Sequence, residues 1–381
     1  MFHRHRRARV AVALVGALVL AGCQQAQNLA GAGTVKGHPT GGVGPSTGGI
    51  ATAARTDPDM SQVISTLSAL GAKPIESLSV EQARRQPSFA DAYRRVLQEE
   101  RGTASPGPAV RTRDITIPGP AGPIPARLYT PAQSRSGAQP LVVYWHGGGW
   151  VIADLDTYDA SARAIASATG AIVLSAHYRQ APEHKFPAAH EDALAAYRWA
   201  VQIAGRLGVN ARRIALAGES AGGNLAIGTA IAARDTGLPQ PVHMALIYPV
   251  AGTDTNTPSY RENSAAVPLS RAGLLWFVDK ATRSSADLQD PRLDVVGRSD
   301  LRGLPPTTIV NAEIDPLRSE GEALAVRLRE AGVPVEQRTY PSVTHEFFGM
   351  APVVANATAA QGLVAERLRG AFDTRTPMTA R

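Results

Sequence analysis

The 381-residue sequence predicts an α/β protein with a mostly parallel sheet. Two observations lead to this fold class: after Gln139 short strand-like runs alternate with amphipathic helical segments, and the runs are apolar almost throughout, as strands covered on both faces should be. The predicted strands are LVVYWHGG, AIVLSAHY, RIALAGES, HMALIYPV, TTIVNAEID and VEQRTYP. In such sheets the chemistry lies at the carboxyl ends of the strands.

The N-terminus has the order of a secretion signal. Basic MFHRHRRAR precedes the apolar run VAVALVGALVL and then LAGC at residues 20–23. The apolar run is shorter than the roughly 18 residues that span a bilayer. LAGC resembles the lipobox of bacterial lipoproteins, so we expect residues 1–22 to be a lipoprotein signal peptide and Cys23 to be lipidated. The chain would then lie in the cell envelope, lipid-anchored to a bacterial membrane and facing the periplasm or exterior.

An ordinary signal peptide that happens to contain a cysteine is the alternative. The lipobox is favoured because Cys23 is the only cysteine of the chain and falls at the position that the motif requires. A lone cysteine also excludes an internal disulfide and a multi-cysteine metal site.

The charge distribution does not favour a nucleic-acid partner. The formal net charge is +7, and four of the positive charges are arginines at residues 4–9 of the predicted leader, so 7 minus 4 leaves +3. The remaining basic residues are mixed with acidic ones and form no phosphate-binding run.

Three further segments follow the leader. Residues 23–56 are rich in Gly and Thr and are predicted to be a flexible tether. Residues 57–105 show three- and four-residue apolar spacing and are predicted to form helices that pack on the catalytic domain at 106–381. That domain opens with RTRDITIPGPAGPIPARLYTP, which predicts a β-hairpin with its Pro and Gly residues in the turn.

The pentapeptide GESAG at residues 218–222 follows the strand RIALA and precedes the helical segment NLAIGTAIAARD. This is the G-x-S-x-G nucleophile elbow in its strand-turn-helix context. The turn forces Ser220 into a strained conformation, and flanking glycines remove Cβ atoms that would clash. Ser220 is therefore the candidate nucleophile, presented where the helix dipole favours negative charge.

The glycine-rich loop at residues 146–149 follows the strand LVVYW. An HGGG loop at this place forms the oxyanion hole of lipases and esterases. Consecutive glycines let backbone N–H groups approach a developing oxyanion without a side chain in the way. His146 itself is predicted to hold the loop in shape and not to carry protons.

The partners of Ser220 follow from chain order, which is Ser, then acid, then His for this elbow. His243 precedes every plausible acid, so it is interpreted as structural, whereas His345 lies in the loop after the last strand. Asp315 ends the strand TTIVNAEI at its carboxyl edge and is the candidate that orients the imidazole. Three competing acids, Asp290, Asp294 and Asp300, lie instead in a polar connecting segment.

Five motifs taken in order resemble the hormone-sensitive lipase family of esterases, also called bacterial family IV. They are HGGGW, YRQAPEHKFPAAHEDA, GESAGGNLA, DPLRSEGEA and THEFFGM, and the resemblance covers about residues 57–375. It implies an α/β-hydrolase fold with an eight-stranded, mostly parallel sheet flanked by helices, a helical cap formed partly by the N-terminal segment, and no cofactor or metal. It also implies that residues 178–192 form a hydrogen-bonded turn supporting the site.

The resemblance also implies residue roles. Ser220, Asp315 and His345 take the triad positions. The N–H groups of Gly148, Gly149 and Ala221 take the oxyanion-hole positions. The usual elbow reads GDSAG, and here Glu219 stands in place of Asp, which keeps the charge.

The predicted function is hydrolysis of a small-molecule carboxylic ester, with short to medium acyl chains, through an acyl-enzyme. An amidase or arylformamidase on the same triad is the first alternative, and a non-catalytic binding protein on the same fold is the second. Loss of a triad residue would favour a binding protein, and none is missing. The sequence leaves the natural substrate open, and a homodimer is among the oligomeric states that it allows. Trp150, Phe89 and Tyr93 could line an acyl pocket or belong to the core.

Overall fold

The structure is a computed structural model and describes residues 52–104, 110–132 and 137–373. Its described part contains one eight-stranded sheet in the order β1-β2-β4-β3-β5-β6-β7-β8. The strands are β1 (Val110–Gly119), β2 (Gly122–Pro131), β3 (Gln139–Trp145), β4 (Ile172–Ala176), β5 (Val209–Glu219), β6 (Met244–Ile247), β7 (Thr307–Ile314) and β8 (Val335–Thr344). Strands β3 to β8 run parallel, while β2 pairs antiparallel with β1 and β4. All six predicted runs form strands, and the predicted α/β-hydrolase architecture is confirmed.

Helices connect and cover the strands. The α-helices are α1 (Pro58–Ala69), α2 (Val80–Arg85), α3 (Phe89–Arg101), α4 (Asp159–Thr169), α5 (Ala188–Ile203), α6 (Ala221–Asp235), α7 (Pro258–Glu262), α8 (Arg271–Ala281), α9 (Val295–Arg298), α10 (Arg318–Glu330) and α11 (Ala355–Asp373). Short 3₁₀ helices lie at Ile75–Ser77, Ala204–Leu207, Ser285–Gln289 and Phe347–Met350. Across the described residues, none of these helices combines the length and the hydropathy that crossing a bilayer requires.

The sheet is buried on both faces. Every residue of β3 is buried. Leu141 and Val143 belong to the apolar cluster on one face, whereas Val142 and Tyr144 belong to the cluster on the other. Successive side chains of a strand point to opposite faces, so apolar residues at every position are what a doubly covered strand needs.

The hairpin of β1 and β2 forms as predicted, but its prolines are not confined to the turn. The turn connects Gly119 to Gly122, whereas Pro118, Pro123 and Pro125 lie within the strands. Pro118 and Pro123 face each other across the outermost ladder, and pairing of β2 with β4 begins only after Pro125. The strands accommodate proline because its missing N–H falls near the ends of these ladders.

The N-terminal helices pack on the sheet domain. Met60 of α1 and Phe89 of α3 share an apolar cluster with Phe347 and Val354. The hydroxyl of Tyr93 donates to the carbonyl of Ala351 at 2.5 Å. Residues 57–104 therefore bury their apolar face against the domain, as their spacing predicts.

The predicted leader and most of the predicted tether lie outside the described residues. The last residues of the tether, 52–56, are described and contact the domain. The Arg55 guanidinium donates to the side-chain oxygen of Asn263 at 2.9 Å. Asp57, the first residue after the predicted tether, donates its backbone N–H to the carbonyl of Ser342 at 3.1 Å. Packing thus begins upstream of the boundary that composition suggested.

Candidate active site

Ser220 lies in the sharp turn between β5 and α6. Its backbone has φ 56° and ψ −119°, and residues with a side chain rarely adopt a positive φ. The turn is held by the N–H of Ser220, which donates to the carbonyl of Ile247 at 2.9 Å. The strain expected at the elbow is therefore present at the serine itself.

The glycines beside Ser220 are required by close backbone contacts. A Cβ atom on Gly218 would lie 2.1 Å from the carbonyl oxygen of Gly222, and one on Gly222 would lie 2.0 Å from that of Trp145. Any side chain at either position would force β3, β5 or α6 apart. The steric reason that the sequence suggested for GESAG is thus visible in the structure.

The glycine-rich loop after β3 is equally close-packed. Gly148 and Gly149 have φ angles of 92° and 57°. A Cβ atom on Gly148 would lie 2.2 Å from the Ile152 carbonyl oxygen, and one on Gly149 would lie 2.3 Å from the Phe277 ring. Both glycines line the same cavity as Ser220. Their backbones can therefore approach a bound substrate without an intervening side chain.

His146 is part of the scaffold of this loop. Its Nδ1 lies 2.8 Å from the carbonyl oxygen of Gly147, and its Nε2 lies 2.8 Å from Nδ1 of His177. The ring stacks on Tyr178 with centroids 4.5 Å apart. Burial, together with His177, lowers the pKa of His146 to about 3. The imidazole therefore stays neutral at physiological pH and is unsuited to carry protons, in agreement with its predicted role.

His345 and Asp315 form a buried pair at the carboxyl edge of the sheet. Asp315 follows β7, His345 follows β8, and His345 Nδ1 lies 2.7 Å from Asp315 Oδ2. The other carboxylate oxygen accepts from the backbone N–H of Leu317 at 2.9 Å. This arrangement fixes the imidazole through Nδ1 and leaves Nε2 for the cavity that His345 shares with Ser220.

The environment of His345 favours its protonated form. Burial lowers the pKa of this imidazole, but the charge and hydrogen bond of Asp315 oppose burial, and the carboxylates of Glu346 and Glu219 add to them. The net effect raises the pKa above its ordinary value. An imidazolium that forms during a reaction would therefore be stabilised here.

The cavity has a volume of about 1000 Å³. Its walls are mostly apolar and come partly from the N-terminal helices, through Ile64, Leu67 and Phe89. Trp150 also lines it, whereas Tyr93 does not and belongs to the core. In the described part of the chain, no group of three or more His, Cys, Asp or Glu side chains is placed to hold a metal ion.

The turn at residues 178–192 supports the site through hydrogen bonds, as the resemblance implies. Arg179 pairs with Asp192 at 2.9 Å, and the Gln180 amide donates to the carbonyls of Ile152 and Ala153 at 2.8 Å each. The turn also brings His190 to the wall of the cavity. Its role therefore extends beyond support, since it shapes part of the pocket.

Sequence reasoning missed several residues that pack around Ser220 and His345. The hydroxyls of Tyr144 and Tyr248 donate to Glu219, and the Tyr248 ring lies 4.5 Å from that of His345. The hydroxyl of Tyr158 donates to Glu346 at 3.1 Å. Tyr144 and Tyr248 lie near the carboxyl ends of predicted strands, and Glu219 and Glu346 adjoin Ser220 and His345. That placement was the available signal.

Comparison with known proteins agrees with this geometry. A sequence model of a family with the alpha/beta hydrolase fold matches residues 142–349, more than half of the chain. The chain belongs to the α/β-hydrolase family. Esterase LipI of Mycobacterium tuberculosis is 43% identical over 266 residues, which cover 68% of this chain and 83% of that protein. Ethyl acetate hydrolase of Pseudomonas putida is 34% identical and covers 78% of this chain and 92% of its own length.

Solved structures similar to this α/β-hydrolase include esterases. The esterase of Pyrobaculum calidifontis superposes with a TM-score of 0.71 at 37% identity, covering 78% of this chain and 95% of that one. The predicted resemblance to the hormone-sensitive lipase family is confirmed, and the protein is a carboxylic ester hydrolase.

Proposed function

We propose that this α/β-hydrolase cleaves carboxylic esters through an acyl-enzyme on Ser220. One observation carries the proposal: the hydrogen-bonded pair of His345 and Asp315 opens onto the same cavity as a serine held at φ 56°. His345 is the base for the serine hydroxyl, and Asp315 orients the imidazole and stabilises its charge.

The two half-reactions follow from these roles. In acylation the Ser220 oxygen forms a bond to the ester carbon, its proton passes to His345, and the alcohol leaves with that proton. In deacylation water transfers a proton to His345 and bonds to the acyl carbon. The carbon–serine bond then breaks as His345 returns that proton to the Ser220 oxygen, which releases the acid and restores the free enzyme. The N–H groups of Gly148, Gly149 and Ala221 would stabilise the oxyanion. The amide of Ala221 suits this role because the first turn of a helix has no preceding carbonyl to bind it.

The substrates proposed are esters of short- to medium-chain acids. The N-terminal helices contribute to the cavity wall, and this closure supports a bounded acyl pocket. The name of one relative, ethyl acetate hydrolase, points to a short acyl group on that protein. Each methylene should add about 0.8 kcal/mol of binding until the chain reaches the wall.

Chain-length dependence tests this proposal. We expect kcat/KM on p-nitrophenyl esters to rise from acetate to a maximum at short or medium length and then fall towards palmitate. A continuous rise to palmitate, accompanied by activation at an oil-water interface, would show a true lipase and contradict the bounded pocket. Matched p-nitroanilides run in parallel would reveal an amidase if their turnover exceeded that of the esters.

A further inference from the structure

Two carboxyl groups adjoin the residues that carry the proposed reaction. Glu219 directly precedes Ser220, and Glu346 directly follows His345. Neither takes part in the steps above. The role inferred below for these carboxyl groups rests on the proposed function, in which His345 is the base.

Glu219 is buried among hydroxyl donors. The hydroxyls of Tyr144, at 2.6 Å, and Tyr248 donate to its two oxygens. Since the Tyr248 ring also packs on His345, one tyrosine contacts both the carboxyl group and the imidazole. Glu219 therefore contacts His345 indirectly, through Tyr248, and its charge also acts on the imidazole.

Glu346 occupies an unusual backbone position. Its φ of 69° lies in the left-handed region, which residues other than glycine seldom adopt. Such outliers persist where surrounding contacts hold them, often at functional sites. Here the Tyr158 hydroxyl donates to the Glu346 carboxylate. The same hydroxyl packs against Gly147, where a Cβ atom would lie only 2.3 Å from its oxygen. Tyr158 therefore connects the histidine loop with the glycine-rich loop.

Glu346 borders two cavities. It lines the 1000 Å³ cavity that contains Ser220 and His345, and it also lines a small cavity of about 30 Å³. The small cavity has room for about one water molecule and is lined on its other sides by Glu219, Ser161 and Arg94. Glu219 and Glu346 therefore border the same small cavity, and the carboxylates of both act electrostatically on His345.

We propose that Glu346 is a positioning residue that, held by Tyr158, places a second carboxylate beside His345 and stabilises its imidazolium form together with Asp315. Burial raises the pKa of Glu346, and His345 opposes that rise. The attraction is mutual, because Glu346 also raises the pKa of His345. The titratable and charged groups that surround Glu346 include Tyr93, Arg94, Tyr158, Glu219, Tyr248, Asp315 and His345.

Glu346→Gln tests the proposal because it removes the charge and keeps the shape. The acid limb of the kcat/KM profile reports the pKa of the free enzyme's base. We expect it to move down by about one pH unit, the smaller end of what a neighbouring charge produces. We also expect kcat on the plateau to fall about tenfold, with KM nearly unchanged, because the stabilisation acts on the transition state. NMR titration of labelled histidine, assigned with His345→Ala, should show the same shift without substrate.

Three further variants complete the test. Glu346→Asp keeps the charge and should restore most of the wild-type acid limb. Glu330→Gln makes the same charge change at the exposed far end of α10 and should leave the profile unchanged. If Glu346→Gln does not fold, Tyr158→Phe removes the donor that holds the carboxylate and should shift the limb in the same direction.

Two results would overturn the inference, and they are distinguishable. A folded Glu346→Gln variant with an unshifted acid limb and an unshifted His345 titration would leave the proposed function intact but remove Glu346 from it. A wild-type acid limb that does not follow the His345 titration would instead remove His345 as the base, and the inference would fall with it.

Discussion

Glu320 is a buried carboxyl group that holds the loop after β6. One of its oxygens accepts from the backbone N–H groups of Ala251, at 2.7 Å, and Gly252, at 2.8 Å, and the other accepts from the Tyr260 hydroxyl at 2.8 Å. Burial raises the pKa of Glu320 to about 7, although these donors oppose the rise. Gly252 and Tyr260 line the large cavity, so this carboxyl group fixes part of its wall.

Stability should therefore depend on pH through Glu320. The pKa in the folded chain exceeds the ordinary value of 4.5, so the stabilisation is fully present below about pH 4.5 and is lost as pH rises through about 7. Glu320→Gln cannot ionise, and its side-chain oxygen can still accept both backbone donors. Relative to this variant, the wild type should lose roughly 3 kcal/mol of unfolding free energy between pH 4 and pH 8. Urea denaturation at several pH values measures the difference.

The exposed neighbour Glu322 provides the control. Glu322→Gln makes the same charge change at an exposed position of the same helix and should leave the pH dependence of the wild type unchanged. If the difference in unfolding free energy between wild type and Glu320→Gln stayed constant from pH 4 to pH 8, the proposed role of Glu320 would be wrong.

Residue-level prediction from the sequence is possible where a motif defines a turn and chain order limits the choice. The GESAG elbow fixes the place of Ser220, and only two histidines follow it. Glu346 could not be identified in this way, since its importance depends on a left-handed φ and on contact with Tyr158, 188 positions away in the chain. The sequence alone does not show which residues so far apart in the chain are in contact.

At the scale of elements, one arginine connects the N-terminal helix α2 to two segments that border the cavity. Arg84 of α2 pairs with both oxygens of Glu183 at 2.8 Å. It also donates to the backbone carbonyls of Val151, at 2.9 Å, and Ala181, at 2.8 Å. A single planar side chain thus joins α2 to the segment directly after the glycine-rich loop and to the turn at residues 178–192.

Arg84→Lys should loosen this junction because lysine keeps the charge but loses the planar fork of donors. We expect a loss of about 1–3 kcal/mol in unfolding free energy and a rise in KM of several fold, since the pocket wall is less well held. Arg85→Lys is the matched control, because the adjacent side chain is 78% exposed and pairs only with Glu81 among the ion pairs described. Equal effects of the two substitutions on stability and KM would contradict this role of Arg84.

The element pattern was predictable because buried strands and amphipathic helices leave distinct periodicities. Predictions were less accurate at the hairpin, where Pro118, Pro123 and Pro125 enter the strands. Proline is excluded from a ladder only where its N–H is needed, and which ladder positions need one depends on strand pairing. Composition cannot supply that information.

At the scale of the whole molecule, we propose that the N-terminal lipobox anchors the enzyme to a membrane. The order of basic, apolar and LAGC segments supports this proposal. A single acyl chain binds membranes only marginally, so stable anchoring requires the several chains of a bacterial lipoprotein. Cys23→Ser should therefore release the enzyme from the membrane fraction or block its processing.

Fractionation of cells that express each form measures this. Ser220→Ala serves as the control, since it should remain in the membrane fraction while losing activity. Equal distribution of the wild type and Cys23→Ser would contradict the anchor and leave the catalytic account unchanged.

Covalent labelling of Ser220 tests the central claim most directly. An aryl alkylphosphonate ester should phosphonylate the activated serine, with release of the phenol, and peptide mass spectrometry locates the added group. We predict one adduct per chain, on the peptide that contains Ser220. His345→Ala should label slower by several orders of magnitude, and Ser220→Ala should not label at all. An adduct on another residue, or labelling of Ser220→Ala at the wild-type rate, would contradict the assignment of the nucleophile.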